Sequence, residues 1–353
     1  MNLKMKKIII TGGTGYIGSH TVVEFINAGY EPIIIDNLSN SNINVLDGIE
    51  KITGKRPTFY KADVTDNFAM DKIFYENDDA IAVVHFAASK AVGESVQKPL
   101  MYYRNNLNGL INILEQMEKH GVNGLVFSSS CTVYGQPEIL PVTENTPFAK
   151  AESPYGNTKK ISEEIIQDTL KATPALKAIA LRYFNPIGAH PSAYIGELPN
   201  GTPNNLMPYI TQTAIGIREC LSVFGNDYNT PDGTPIRDYI NVVDLAKAHV
   251  AAVKYLNSHK NDKQFDFFNI GTGKGSTVLE VINSFERSTG VKLNYKIAGR
   301  RAGDIEKVWA DTTKANKVLG WKAEKTLDET TLSAWEWEKR LRVKSEELIV
   351  KSH

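Results

Sequence analysis

The chain is predicted to fold as an α/β protein around a doubly wound parallel sheet, on three observations. Short apolar strands alternate with amphipathic helices through the first half. The strands are unbroken apolar runs, such as Ile8-Ile9-Ile10, as expected where helices cover both faces of a sheet. A glycine-rich turn, Gly12-Gly13-Thr14-Gly15-Tyr16-Ile17-Gly18, follows the first run directly.

The elements are predicted in order from these patterns. Strands are expected at 7–11, 32–36, 58–62, 80–86, 124–128 and 177–182, each rich in Ile, Val, Phe or Ala. Helices are expected between them at 16–28, 67–75, 99–119 and 154–171. Residues 183–242 are rich in Pro, Gly and Asn, as in Pro199-Asn200-Gly201 and Pro231-Asp232-Gly233, which signals loops beside a site. Helical periodicity returns at 244–256, 278–289 and 326–343. The expected division is a Rossmann-type domain over residues 1–182 and a smaller C-terminal substrate-binding α/β part over 183–353, some of whose segments return to the first domain.

Bulk properties narrow the function. Forty basic residues balance forty acidic ones, so no net field draws nucleic acid or an anionic membrane. No apolar run reaches the ~18 residues of a membrane span, and the N-terminal run is too short for a signal-peptide core. Two cysteines, Cys131 and Cys220, are too few for a disulfide framework, so a reduced, cytoplasmic protein is expected. The seven histidines show no metal-ligand spacing, and no metal is expected.

The glycine turn has the context of a dinucleotide site. Gly12 permits the tight turn, Gly15 lets the backbone approach a pyrophosphate, and Gly18 lets helix and strand pack closely. The helix N-terminus then presents N–H groups and a partial positive charge to the phosphates. Asp36, 18 residues past Gly18, falls at the end of the second strand. A carboxylate there accepts from ribose hydroxyls and repels a 2′-phosphate, which favours NAD over NADP. A second glycine run, Gly271-Thr272-Gly273-Lys274-Gly275-Ser276-Thr277, misses the spacing of a phosphate loop and is expected to be a strand-to-helix turn.

Tyr155 and Lys159 stand four apart on a predicted helix and share a face. A nearby cation favours the phenolate of a tyrosine, and so brings its pKa from ~10 towards working pH. Ser130, at the C-terminal end of a parallel strand, can bond the same substrate oxygen. The three residues beside a dinucleotide turn predict hydride exchange between a nicotinamide and an alcohol carbon.

These motifs resemble the extended short-chain dehydrogenases/reductases, and longer stretches resemble the UDP-glucose 4-epimerase family. The stretches are His85–Ser95, Ser128–Gly135, Leu181–Asn185, Asn204–Tyr209, Phe224–Tyr228, Arg237–Ile240 and Arg300–Asp304, within a match over about residues 6–340. The resemblance implies that Gly12, Gly15, Tyr16, Ile17, Gly18, Asp36, Asn37, Asp63, Val64, Phe86, Ala87, Lys90, Asn105 and Tyr183 line an NAD site together with Ser130, Tyr155 and Lys159. It implies that Phe184, Asn185, Asn205, Leu206, Phe224, Arg237, Arg301 and Asp304 hold a UDP-sugar. It places Val308 where the family controls space around the hexose 2-substituent, so that UDP-GalNAc and UDP-GlcNAc are expected substrates beside UDP-galactose and UDP-glucose. It also implies a homodimer through the helices at 99–119 and 154–171. The chain departs from the family pattern at Ala88-Ser89 (commonly Gly-Leu), Cys131 (Ala), Asn241 (His) and Ala302 (Glu).

Overall fold

The computed structural model describes residues 5–258, 262–301 and 304–351, with side chains to Val343. The chain opens with β1 (Lys7–Thr11), α1 (Tyr16–Asn27), β2 (Glu31–Asp36), α2 (Val45–Thr53), β3 (Thr58–Lys61), α3 (Asn67–Glu76) and β4 (Ala80–His85). It continues through α4 (Val92–Gln97), α5 (Pro99–His120), β5 (Gly124–Ser130), α6 (Pro154–Ala172) and β6 (Lys177–Tyr183). These six strands join Phe265–Ile270 in one seven-stranded sheet, in the order Phe265–Ile270, β6, β5, β4, β1, β2, β3. All of its ladders are parallel.

Alternation along the strands divides the core between the two faces of the sheet. Ile8, Ile10, Ile34, Val126 and Leu181 pack on one face, against α1 and the helix Val242–Leu256. Ile9, Ile33, Ile35, Val83 and Leu125 pack on the other, against α3, α5 and α6. The isoleucines of β1 are fully buried, and each contributes roughly 1.5–3 kcal/mol by leaving water.

Two expectations need revision. The strand Phe265–Ile270 was not predicted, and neither were the short helices α2 and α4. The stretch after Tyr183 is less irregular than its Pro and Gly content suggests. It holds the strands Asn185–Ile187, Leu221–Phe224, Ile236–Arg237 and Tyr239–Asn241 and the helix Leu206–Ala214. Each strand is two to four residues long, too short to leave a periodic signal.

The second glycine run does form the strand-to-helix turn that was expected. Thr277 caps the helix Val278–Thr289, and Glu280 returns the bond in a capping box. The turn's own amides are directed inward at Asp238. That carboxylate accepts from Thr272 N at 2.8 Å, Thr272 Oγ1 at 2.7 Å, Gly273 N at 3.2 Å and Ala310 N at 3.2 Å. Burial pushes the Asp238 pKa up, and the four donors oppose that shift.

Beneath the C-terminal ends of β5 and β6 lies a buried ion pair. Arg182 donates to Glu163 through Nε at 2.9 Å and Nη2 at 2.5 Å. Ser129 Oγ donates to the same carboxylate at 2.6 Å, and Arg182 Nη1 donates to Tyr134 Oη at 2.9 Å. The guanidinium lies 4.1 Å from the Phe267 ring centroid. The pair therefore ties α6 to the strands on which Ser130 and Tyr183 sit.

Candidate active site

Predicted cofactor and catalytic residues collect at the C-terminal edge of the sheet, where ligands of such folds bind. Gly12 follows β1, Asp36 ends β2, Asp63 follows β3, Phe86 follows β4, Ser130 ends β5 and Tyr183 ends β6.

The glycine turn has the shape a pyrophosphate needs. Gly12 has φ +72, and a Cβ there would lie 2.9 Å from Ala87 N. A Cβ on Gly18 would run into the Gly12 carbonyl oxygen. Gly15 precedes α1 without a side-chain cap, so among the described residues no side chain is seen on the first-turn amides at Tyr16 and Ile17. Asp36 is held rigidly by Thr14 N at 3.2 Å, Leu38 N at 2.9 Å and Ser41 Oγ at 3.0 Å. Asn37 Nδ2 donates to Asp63 at 2.8 Å, and Val64 is buried beside them. Burial alone would raise the Asp63 pKa, but the Thr65 hydroxyl and amide and Asn37 hold it below its usual value. The turn and the acid row thus fit a dinucleotide with free ribose hydroxyls.

After β4, Ala87 N donates to Thr11 Oγ1 at 3.3 Å, and the Phe86 ring packs 4.7 Å from the His249 ring. Tyr16 Oη donates to Gly188 O at 2.6 Å, across to the C-terminal half. Lys90 is exposed, and Asn105 is half-buried on α5.

Ser130, Tyr155, Lys159 and Tyr183 converge. Lys159, 4% exposed, donates through Nζ to Ser128 O at 2.6 Å, and that nitrogen lies 5.9 Å from the Tyr155 ring centroid. The Ser128 and Tyr183 hydroxyls are hydrogen-bonded. Pro154 at the start of α6 and the Ser153 cap, which accepts from Gly156 N, set where the helix begins and hence where Tyr155 points. The sequence suggested that a cation draws the phenol down. In the structure burial dominates instead and pushes Tyr155 up to about 12, against the Ser130 hydroxyl that pulls it down. Burial draws Lys159 down to about 8, with Glu163 acting in the opposite direction. Burial thus favours the neutral phenol of Tyr155, while Glu163 supports the ammonium of Lys159.

The expected sugar-side residues form two groups. Arg237 Nη2 donates to Asp304 Oδ1 at 2.6 Å, and Arg237 pairs in register with Val308. Val308 is 3% exposed in a small apolar cluster with Phe184, Val133 and Tyr134. Asn185 N donates to Asp238 O at 3.0 Å, which anchors the start of this wall. Arg301 is exposed, and its carbonyl accepts from Asp304 N at 3.2 Å. Ala302, a predicted departure, lies with Gly303 outside the described residues. In the second group Asn205 Nδ2 donates to Glu197 Oε1 at 2.5 Å, Leu206 opens its helix, and Phe224 is 42% exposed at a strand end.

Sequence reasoning missed several residues that frame this site. Glu163 stands four after Lys159 on the same face of α6, a spacing that could have revealed it. Glu197 is half-buried beside Asn205, and desolvation raises its pKa against Lys90 and Asn205, which lower it. The Thr132 hydroxyl oxygen is buried two residues after Ser130 and has no partner among the described residues. Cys131 is also deeply placed, and burial pushes its thiol up to about 12. Among the described residues no His, Cys, Asp and Glu cluster could hold a metal, and no helix is long and apolar enough to cross a membrane.

Comparison with known proteins identifies the family. A family model described as GDP-mannose 4,6 dehydratase matches residues 9–333. The chain is 53% identical to the UDP-glucose 4-epimerase of Bacillus subtilis (strain 168) over 332 residues, covering 94% of this chain and 96% of that one. The chain belongs to the UDP-glucose 4-epimerase family. The UDP-glucose 4-epimerase crystal structure from Stenotrophomonas maltophila, with bound NAD and formylated UDP-arabinopyranose, superimposes with a TM-score of 0.92 at 45% identity. It covers 96% of this chain and 99% of its own. The Bifidobacterium longum enzyme, in complex with NAD+ and UDP, gives 0.90 at 46% identity over 95% of this chain and 98% of its own.

Three histidines near the cofactor cleft are buried and neutral, which gives a pH dependence. Burial draws His20 and His85 down to about 3 and His249 to about 4. Their unfolded-state values lie near ~6.5. Between roughly pH 4 and 6.5 the unfolded chain binds protons that the native chain refuses, so stability falls as pH falls. Urea unfolding measured from pH 7 to 4.5 should show uptake of about three protons from these groups at pH 5. Replacing His249 by Gln should remove about one of them and flatten the pH slope.

Proposed function

We propose that this protein interconverts UDP-galactose and UDP-glucose by transient oxidation at the sugar C4, with NAD held throughout the cycle. The observation that carries this reading is the convergence of Ser130, Tyr155 and Lys159 at the strand ends beside the glycine turn. Gly12, Gly15, Tyr16, Ile17 and Gly18 would hold the pyrophosphate, Asp36, Asn37, Asp63 and Val64 the adenosine half, and Phe86, Ala87, Lys90, Asn105 and Tyr183 the nicotinamide half. Bound NAD supplies the hydride acceptor and donor for C4. Tyr155 takes the proton of the 4-hydroxyl and returns it after the 4-keto sugar has turned over, and Ser130 bonds the same oxygen. Tyr155 acts in that step as the phenolate, and Lys159 is the cation of this chain that favours that form against the burial that otherwise keeps the phenol protonated. Phe184, Asn185, Asn205, Leu206, Phe224, Arg237, Arg301 and Asp304 would bind the UDP-sugar, with the arginines facing its pyrophosphate. The working division remains 1–182 for the nucleotide and mainly 183–353 for the sugar.

A sugar-nucleotide 4,6-dehydratase is the second reading, favoured by the description of the matching family model. That chemistry needs further acid–base groups, typically an Asp-Glu pair beside the Ser or Thr. Here Cys131 and Thr132 stand there, and Cys131 is held as a neutral thiol. The assay is conversion of UDP-galactose to UDP-glucose by purified protein with no NAD added. Wild type should turn over and release NAD, not NADP, on denaturation. Tyr155→Phe should lose ~10²–10⁴-fold in kcat while keeping its NAD. Wild-type kcat in that variant, or a 4-keto-6-deoxy product, would overturn the reading.

The protein is proposed to act as a homodimer through α5 and α6. Leu100, Met101 and Ile111 on α5 are exposed apolar side chains. Static light scattering at micromolar concentration should give twice the chain mass, and a monomer mass rules the dimer out. A cytoplasmic location suits the two unpaired cysteines, and cell fractionation checks it.

The sugar pocket is proposed to accept N-acetylated hexoses as well. Val308 is small and packs in the wall beside Phe184. A Tyr at that position overfills the pocket, and overpacking costs ~1–3 kcal/mol. Val308→Tyr should therefore lower kcat/KM on UDP-GalNAc by about one to two decades relative to UDP-galactose. An unchanged ratio, or a wild type that rejects the acetylated sugar, places the gate elsewhere.

A further inference from the structure

Lys90 sits in a segment, residues 86–91, with no helix or strand of its own. Side chains from α5 hold it on both flanks. Asn106, 5% exposed, accepts from Ser89 N through Oδ1 at 2.8 Å and donates through Nδ2 to Ser89 O at 3.0 Å. One turn earlier on the same face, Tyr102 Oη accepts from Ala91 N at 2.9 Å and donates to Glu94 at 3.0 Å. Lys90 is therefore fixed in its backbone between two anchored neighbours while its own side chain is exposed.

Asn106 also faces the catalytic helix. Its Nδ2 donates to Thr158 Oγ1 at 3.1 Å, and that hydroxyl donates to Tyr155 O at 2.7 Å. Asn105 Nδ2 donates to Asn106 Oδ1 at 3.0 Å. One primary amide thus serves Ser89, Asn105 and the backbone of Tyr155 through Thr158. Only an amide can do this, since the site needs an acceptor and two donors from one short side chain.

We propose that Asn106 is a positioning residue that sets the Ser89–Ala91 segment against α6, so that the cofactor-side Lys90 and the acid–base Tyr155 are held in one register. The inference rests on the reading that this chain retains NAD and uses Tyr155. Asn106 needs no contact with cofactor or sugar. Its effect passes through Ser89 on one side and through Thr158 on the other, so the two branches can be separated by mutation. Cutting the first should loosen NAD, and cutting the second should slow turnover with NAD still in place.

The experiment uses the purified full chain and reads two quantities. One is NAD retained per chain and its loss rate on dilution, followed by enzymatic assay of the nucleotide released into the filtrate. The other is the split between kcat and KM on UDP-galactose. Asn106→Ala and Asn106→Asp should both lose NAD at least ~10-fold faster, since each removes buried donors and leaves partners unsatisfied. Thr158→Val should keep NAD within ~2-fold of wild type and lower kcat by ~10-fold at little changed KM, and Thr158→Ser should restore kcat. Asn106→Asp with wild-type NAD retention and kcat overturns the inference. If Asn106→Ala does not fold, the Thr158 pair decides, and wild-type kcat in Thr158→Val overturns the coupling. A wild type that binds no NAD overturns the functional reading and this inference together. A wild type that holds NAD beside a folded Asn106→Ala that holds it equally overturns the inference alone.

Discussion

The active-site end of this fold depends on the buried pair of Glu163 and Arg182. A buried ion pair repays its desolvation only when geometry is good and the remaining donors and acceptors are satisfied. Here both conditions hold. The contact is two-pronged, Ser129 and Tyr134 take further bonds, and aromatic rings flank the guanidinium. Removing one partner of such a pair typically costs ~3–5 kcal/mol, so the three elements it joins are locked at strong penalty. Ser129 precedes Ser130, Arg182 precedes Tyr183, and Glu163 lies one turn after Lys159. The pair reacts with nothing, yet it fixes the spacing among the groups that converge above it.

That frame explains the balance of charge at the site. Lys159 is surrounded by Phe127, Tyr155 and the Ser128 carbonyl, and burial alone would strip its proton more readily. Glu163 opposes the effect but is itself held by Arg182, so it supports the ammonium without sequestering it. The phenol of Tyr155 is left with one neutral partner in Ser130. A group poised this way responds strongly to any charge placed beside it, because little water remains to screen it.

Much of this was legible in the sequence, and the reasons are specific. The β1 run and the turn after it carry their fold in local chemistry, since Ile8–Ile10 must be covered on both sides and Gly12 needs its positive φ. Tyr155 and Lys159 were found because helical spacing alone puts them on one face. Phe265–Ile270 was not found, because its partner β6 is distant in sequence and its alternating pattern is interrupted by Asp266 and Asn269, both buried through long-range bonds. The pKa of Tyr155 departs from the value its spacing to Lys159 implies for a related reason. Spacing reveals which charge is near, but the degree of burial is a property of the whole fold. Asn106 and Glu197 escaped likewise, since their partners come from segments that only folding brings together.

The carboxylate of Asp238 in the second glycine turn has a consequence for selectivity. That turn offers backbone amides much as the first one does, but a tethered anion already fills it. A free phosphate would have to displace a competitor present at an effective concentration of about millimolar or more. The chain therefore carries two glycine turns of similar composition but leaves only one of them open to a nucleotide. Selection between them requires no difference in their glycines, because the rejection is built in by a ligand that cannot diffuse away.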